Sequence, residues 1–566
     1  MGGIRKAWRP RAVIVLASGI LLALAGCTPD NPEPDMVVDL VQQDWRHTPG
    51  VTPDGGGLRV AATSRSIVEQ DGGGGQPNPP VNLAGTHLVA TGDFTLSAAF
   101  TDVTADASLT VYDSPPVIAD EFRIEPAGLR LTLRGDDLDI AVFDGSRQKS
   151  VTNPQPAHDE RIRLQDPGAE LTVRRSGDKL EVASGGDTVL SQSLRGIFGS
   201  GQLWLGLASD GGSFQVSSLT ATAHGGASLS TAGPAVEQAS QLPDGLQALA
   251  ARIRPDFRIG AAVALGPLAS DADYGRVLVG NFGAITPENA MKAQNVSPQQ
   301  GTYTFEEADA ILAVAESKGM AVHGHTIAFT EAMPRWMQEL PAGTEAERSA
   351  SARALLDYVT AVVTHFRGRL DSLDVVNEPF DVDQGVGLQQ NIWYRVFGPA
   401  YPAVVSQAVY EADPQVKQYI NENGADVPGR RQDALLKLAL DANAVGGHIY
   451  GVGLQAHVYN LETDAIPAGE LTRTLRNFQD AGLHVRISEN DVADDDGTDV
   501  QAEQYATVLA TCLHSSACVS YTTWGVDNRY DWLIDDDGSL QQGHDYLFEN
   551  GKPTPPYDAM RTALGG

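Results

Sequence analysis

The amino-acid sequence predicts a multidomain protein in which an all-β sandwich is followed by an α/β (β/α)8 barrel. Between Val37 and Ala223, short runs alternate at period two between turn residues, with no amphipathic helix among them. From Gly245 onwards, apolar strand candidates alternate with helical stretches, the pattern of a closed parallel barrel. Between the two lies a small, polar stretch, 224–244, with Gly225-Gly226-Ala227-Ser228 and two prolines, which reads as a linker.

The chain has 566 residues, enough for several buried cores. Its first segment reads as a targeting signal. Arg5, Lys6, Arg9 and Arg11 precede an apolar run from Ala12 to Ala25, too short to span a bilayer comfortably. The run ends in Leu24-Ala25-Gly26-Cys27, which resembles a bacterial lipobox, so 1–27 is expected to be a lipoprotein signal with Cys27 carrying the lipid. The alternative is an ordinary secretory signal; either way the chain is expected to be exported. Residues 28–36 form a polar tether in this reading.

Residues 37–223 make the sandwich. Phe94–Phe100 and Leu129–Arg134 read as strands, and Leu171–Val182 as a hairpin around Ser176-Gly177-Asp178. Gln202–Leu207 and Phe214–Val216 complete the set. The pattern is similar to the concanavalin-like jelly roll often attached to secreted glycan enzymes. Asp71–Pro80 reads as a long surface loop. Trp45 and Trp204 are the two tryptophans here, and the pattern leaves open whether Trp204 is core or a displayed sugar platform.

Residues 245–566 make the barrel. Strands are expected at Phe257–Ala264, Ala284–Thr286, Ala321–His325, Leu373–Asn377, Gln418–Asn421, Gly451–Gln455, Val485–Ser488 and Val519–Thr523. Helices are expected at Glu306–Lys318, Ala346–Phe366, Asn391–Asp413, Arg430–Val445 and Ala468–Ala481. In such a barrel, polar residues at the C-terminal strand ends line the active site. Glu378 follows the fourth strand and Glu489 the seventh, and two facing carboxylates can cleave a glycosidic bond.

The residues around them carry a resemblance. Asp374-Val375-Val376-Asn377-Glu378-Pro379 and Ile487-Ser488-Glu489-Asn490-Asp491 resemble the acid/base and nucleophile motifs of glycoside hydrolase family 10, the retaining endo-β-1,4-xylanases. Thr286–Lys292, Gly324-His325-Thr326, Gly453–His457, Thr523-Trp524-Gly525 and Asp531-Trp532 are similar to further motifs of that family, in order along 245–564. The resemblance implies Glu378 as acid/base, its proton held by raised affinity, and Glu489 as ionised nucleophile. It implies that His457 orients the nucleophile and that Asn377 donates to the sugar 2-hydroxyl. Gln455 would contact the acid/base or the sugar edge. Glu288, Asn289 and Lys292 would floor the glycone side, His325 would bind the sugar at the cleavage point, and Trp524 and Trp532 would stack on pyranose faces. Trp336 and Trp393 read as packing. Cys512 and Cys518 would form the disulfide that many members place before strand eight, as an exported chain permits.

Three stretches depart from the family: Ala293 follows Lys292 where an aromatic is usual, Phe329-Thr330 stands where Trp-His is usual, and Asn421-Glu422-Asn423 replaces an Asp-Tyr-Asn-like run. These are expected to alter the glycone floor and walls rather than the two carboxylates. A different β-1,4-glycan, or a non-catalytic glycan-binding surface lipoprotein, are the alternative functions. Lys+Arg number 40 against 72 Asp+Glu, a net charge of −32, which disfavours nucleic acid as a partner. The acidic stretches 491–499 and 535–537 lack the glycine spacing of a calcium loop, so no metal or cofactor is expected. The expected partner is a polysaccharide; membrane association runs through the lipid alone, and the chain is expected to be a monomer.

Overall fold

The structure is a computed structural model that describes residues 36–41, 51–61, 85–104, 106–112, 117–118, 123–124, 127–143, 156–193, 202–210, 212–225, 227–231, 239–381, 385–493, 498–530 and 545–566. The signal, Cys27, residues 28–35 of the tether, Trp45, the 71–80 loop, 535–537 and Trp532 lie outside the described residues. Among the described residues, no helix is long and apolar enough to cross a membrane.

The N-terminal region is β-rich and antiparallel. One sheet runs Asp187–Ser193, Lys179–Ser184, Leu171–Ser176, Phe94–Thr101, Ser213–Ala223, Gly57–Ala61, Val51–Asp54, with Met36–Asp39 also on Ser213–Ala223. The other runs His158–Arg163, Asp137–Phe143, Gly128–Arg134, Asp106–Tyr112, Gln202–Asp210, Gly85–Thr91, Ser228–Thr231. Period-two alternation does what it predicts: Phe94, Leu96, Ala98 and Phe100 of one strand turn inward while their neighbours stay partly exposed. They join Leu109, Leu131, Ile140 and Leu205 from the other sheet in one core, where each large apolar side chain contributes about 1.5–3 kcal/mol by leaving water. Trp204 is 2 % exposed and stacks on Tyr112 at 6.1 Å between ring centroids. The open question is thereby answered: Trp204 is packing.

The C-terminal region is a closed parallel barrel. Its strands are β1 (Arg258–Val263), β2 (Ala284–Pro287), β3 (Ala321–Gly324), β4 (Ser372–Asn377), β5 (Lys417–Glu422), β6 (Ile449–Leu454), β7 (His484–Val492) and β8 (Cys518–Thr523). They pair in the order β3-β2-β1-β8-β7-β6-β5-β4, and β3 pairs with β4 to close the ring. The strand interiors are buried almost throughout, which is why the sequence reads as apolar runs rather than alternation. Helix ends carry local signals. Thr344 and Glu347 form a reciprocal capping box on Glu345–His365, and Asp271 caps Ala272–Asn281 through the amides of Asp273 and Tyr274.

One expectation about helices needs correction. Asn391–Asp413 is not one helix but Ile392–Phe397 and Tyr401–Ala412, joined by a 3-10 turn. Gly398 takes φ 69°, and Pro399 has no amide to donate, so the helix cannot run through. The structure adds the helices Leu246–Ile253, Ala272–Asn281, Thr498–Leu513 and Pro555–Ala563 to those expected.

Candidate active site

A parallel barrel delivers every strand's C-terminal end to one face. Three backbone features turn consecutive residues of those ends toward the centre. Glu378, the residue after β4, takes φ 49°, a left-handed conformation that costs a side-chain-bearing residue about 1–3 kcal/mol. Ala456, between Gln455 and His457, takes φ 59°. In β7 the register with β8 shifts between Ile487 and Asn490, the segment that carries Ser488 and Glu489.

Glu378 is half-buried. Its Oε1 accepts from Gln455 Nε2 at 2.8 Å and, at a longer 3.3 Å, from Asn377 Nδ2. Its amide donates to the Asn421 carbonyl at 2.9 Å. Gln389 Nε2 donates to the Glu378 carbonyl at 3.2 Å and to that of Phe380 at 3.1 Å, bracing the loop.

Glu489 is 4 % exposed. Its Oε1 accepts a short hydrogen bond from Asn421 Nδ2, which also donates to Asn377 Oδ1 at 2.7 Å. Ser488 Oγ donates to Asn421 Oδ1 at 2.7 Å, fixing the amide's orientation. Glu489 Oε2 lies 3.3 Å from His457 Nε2, and His457 Nδ1 lies 2.6 Å from Asp491 Oδ1. Burial works against charge on His457, but Asp491, Tyr459 and Glu489 outweigh it and hold the imidazole well above its ordinary value. A continuous chain of hydrogen bonds thus joins the two carboxylates: Glu378, Asn377, Asn421, Glu489.

On the other side of the opening, His325 Nδ1 lies 2.9 Å from Asp374 Oδ2. Burial pushes the Asp374 carboxyl up, and His325 pulls against it. His323 Nδ1 pairs with Ser372 Oγ at 2.8 Å, while its Nε2 approaches Asp374 Oδ2 to 2.8 Å without hydrogen-bond alignment. Trp524 stands edge-on to His325 and His457, with centroids 5.2 and 6.4 Å apart. Asn289 Nδ2 donates to Glu288 Oε1 at 3.1 Å, and Lys292 Nζ sits 5.8 Å from the Phe329 ring centroid. Trp393 is fully buried and Trp336 donates its indole N–H to the Ser297 carbonyl, so both are packing. Cys512 and Cys518 are joined by a disulfide.

One expectation is overturned here. The Asn421-Glu422-Asn423 departure does not stay in the sugar-binding walls, because Asn421 bonds Glu489 directly and its carbonyl receives the Glu378 amide. Glu422 is buried beside the Glu378 loop. Both end β5, so the strand-end rule would have found them. Asp374 and Asp491 stood inside motifs already quoted, yet their buried pairing with His325 and His457 needs the third dimension. Arg486 interrupts the apolar run Val485–Ile487 and points into the barrel, where its hydrogen bonds go to Ser520, Ser372 and Thr522. Burial lowers its guanidinium to about 9, against the charge of Glu489. A charge inside an apolar strand was its signal.

Residues 248–563 match the family model of Glycosyl hydrolase family 10. Among relatives, "Endo-1,4-beta-xylanase" from Agaricus bisporus is 31% identical over 274 residues, covering 47% of this chain and 79% of its own. "Endo-1,4-beta-xylanase A" from Phanerodontia chrysosporium is 31% identical over 290 residues, 50% of this chain and 68% of its own. Among solved structures, native xylanase 10B from Thermotoga maritima superposes with a TM-score of 0.52 at 27% identity, over 57% of this chain and 98% of that one.

Proposed function

This chain belongs to glycosyl hydrolase family 10, and from that premise we propose that it is an endo-β-1,4-xylanase that cleaves xylan with retention of anomeric configuration, Glu378 serving as acid/base and Glu489 as nucleophile. The observation that carries the reading is the pair of carboxylates at the ends of β4 and β7, in the matched region, each held by its own donors and joined through Asn377 and Asn421. Relatives that bear the name endo-1,4-beta-xylanase supply the substrate class.

In this mechanism Glu489 attacks the anomeric carbon while Glu378 protonates the departing oxygen. A nucleophile must be ionised. Asn421 donates to one oxygen of Glu489, and His457, anchored by Asp491, faces the other, so both oxygens of the carboxylate are met by partners. Water then attacks the glycosyl–enzyme ester, and Glu378, now a carboxylate, takes its proton. Asn377 meets the sugar 2-hydroxyl, a contact that strengthens as charge develops on the ring. Glu288, Asn289, Lys292 and His325 bind the glycone hydroxyls, and Trp524 and Trp532 contact pyranose faces. An NMR time course on a β-linked xylooligosaccharide should give the β-anomer first; the α-anomer first would overturn retention. Reducing sugar should appear from arabinoxylan or glucuronoxylan and not from cellulose; the reverse would overturn the substrate class.

The rest of the chain is read around this activity. Residues 1–27 are a lipoprotein signal, 28–36 a tether, 37–223 a concanavalin-like sandwich and 245–566 the catalytic barrel; the linker is shorter than 224–244, because Ser228–Thr231 pairs with Gly85–Thr91 as a strand of the sandwich. The enzyme is exported and anchored on the outer face of the membrane by lipid on Cys27, as a monomer. If Cys27→Ala stays membrane-bound after detergent-free washing, the lipid reading fails. The sandwich acts as a spacer, which burial of Trp204 supports. Capture of the isolated 36–231 fragment, which keeps the strand Ser228–Thr231, by insoluble xylan would overturn that role.

A further inference from the structure

Arg486 lies inside the barrel at 4 % exposure, and its hydrogen bonds go to three hydroxyls. Nε donates to Ser520 Oγ at 3.1 Å, Nη1 to Ser372 Oγ at 3.2 Å and Nη2 to Thr522 Oγ1 at 3.4 Å. One of those hydroxyls opens a path. Ser372 Oγ lies 2.8 Å from His323 Nδ1, His323 Nε2 lies 2.8 Å from Asp374 Oδ2, and that same oxygen lies 2.9 Å from His325 Nδ1. The path runs from β7 through β4 to the end of β3, and every residue on it is buried except Ser372, which is partly exposed. The Tyr419 ring of β5 walls it, with its centroid 5.6 Å from the Arg486 guanidinium and 6.1 Å from the His323 ring. It ends on the imidazole that the proposed mechanism sets against the sugar.

We propose that Arg486, Ser372, His323 and Asp374 form a one-way relay that fixes the ring proton of His325 on Nδ1 and turns a bare Nε2, an acceptor, toward the sugar. The proposal rests on the reading of His325 as a sugar-binding residue; the four behind it are positioning residues. A guanidinium only donates. Ser372 Oγ therefore accepts from Arg486, and its own hydrogen is left for His323 Nδ1. That puts the His323 proton on Nε2, facing Asp374 Oδ2. The reverse arrangement fails at the far end. With the proton on Nδ1, a bare nitrogen would stand 2.8 Å from a carboxylate oxygen, lone pair against lone pair. With a hydrogen of His323 before it, Oδ2 acts as an acceptor, so the hydrogen between Oδ2 and His325 Nδ1 belongs to the histidine. A proton taken up by Asp374 would sit on Oδ1, which has no hydrogen-bond partner among the described residues, and Oδ2 would still accept. Neutral His325 thus keeps Nε2 bare, and the sugar hydroxyl that meets it must donate. A substituent that only accepts, such as fluorine, has no bond to make there.

The test reads the two rings by NMR in the whole chain without substrate. Histidine labelled with nitrogen-15 in the ring separates bare from protonated nitrogens, and His323→Gln and His325→Gln assign the signals. At neutral pH His323 should show a bare Nδ1 and His325 a bare Nε2; the opposite tautomer in either ring overturns the relay. Ser372→Ala removes the hydroxyl. Both bare-nitrogen signals should then move toward the average of the two tautomers, and kcat/KM on a xylooligosaccharide should fall about fivefold, the effect of one neutral hydrogen bond. Ser372→Thr keeps the hydroxyl and should restore both readouts. Arg486→Gln replaces a group that only donates with one that also accepts, and should release His323 in the same way. Ser372 is partly exposed, so its variants decide the matter if Arg486→Gln does not fold. Unmoved signals in Ser372→Ala would show that Asp374 sets the tautomer alone, and the relay fails. If wild type shows the expected tautomers and cleaves no xylooligosaccharide, the functional reading fails and the relay stands; if it cleaves and the tautomers are reversed, only the relay fails.

Discussion

The tip of β4 and the tip of β7 each present one glutamate to the same opening. At the β4 tip, Glu378 is half-buried and its donors are the neutral amides of Gln455 and Asn377. At the β7 tip, Glu489 is buried and faces a charged histidine backed by Asp491, together with the amide of Asn421. Of the two, Glu489 alone has the raised imidazole of His457 as a hydrogen-bond partner. Two copies of one side chain thus meet different surroundings, and the difference lies in what β5, the end of β6 and Asp491 bring to each.

The largest expected effect comes from deleting the anion. Glu489→Ala should lower kcat on xylan by about four orders of magnitude or more, with partial rescue by azide giving a sugar azide of inverted configuration. Near-normal activity would remove Glu489 as nucleophile and dissolve the contrast between the tips. Asn421→Ala isolates one donor. Losing a hydrogen bond to a charged group costs about 1.5–3 kcal/mol, so kcat should fall about 10- to 100-fold. An unchanged kcat would mean that His457 alone suffices.

Asp491→Asn sharpens the comparison through pH. His457 is raised above its ordinary 6.5 in the folded protein. Its contribution to stability is therefore fully present below about 6.5 and is lost as pH rises through the folded value. Wild type should lose stability over that upper range in urea titrations, and Asp491→Asn should flatten the loss. Parallel curves for the two proteins would show that His457 is held by something other than Asp491.

Much of this was legible before any coordinates. Glu378, Gln455, His457 and Glu489 stand at strand ends, and a strand end in a parallel barrel has only one destination. That β5 lies between β4 and β6 follows from the barrel itself, but the contacts of Asn421 were not legible, because sequence spacing does not say that its side chain reaches Asn377 on β4 and Glu489 on β7. The local shifts at Glu378, Ala456 and Ser488-Glu489 were hidden for a related reason. A left-handed residue or a bulge reverses which neighbour faces inward, and period-two reading assumes that neither occurs. The break at Gly398-Pro399, by contrast, was written in the sequence and overlooked in favour of helical periodicity on both sides.

The smallest effect should fall away from both tips. Cys512 ends one turn short of β8, in the helix Thr498–Leu513, and Cys518 begins β8 itself, so the disulfide ties the lower end of the strand whose upper end leads to Trp524. The two residues are six apart in sequence. A loop that short constrains the unfolded chain modestly, and chain entropy alone gives about 2 kcal/mol. Both sulfurs sit in buried residues, where serine would also place a hydroxyl in an apolar setting, so Cys512→Ala with Cys518→Ala is the cleaner change. The double variant should melt a few degrees lower. Its kcat/KM on a soluble xylooligosaccharide at 25 °C should stay within about twofold of wild type, because the donors of Glu378 and Glu489 come from β4, β5 and β6 and none from the lower end of β8. A loss of activity larger than the loss of stability would show that β8 transmits its anchoring to the site through Trp524, which stands against both His325 and His457.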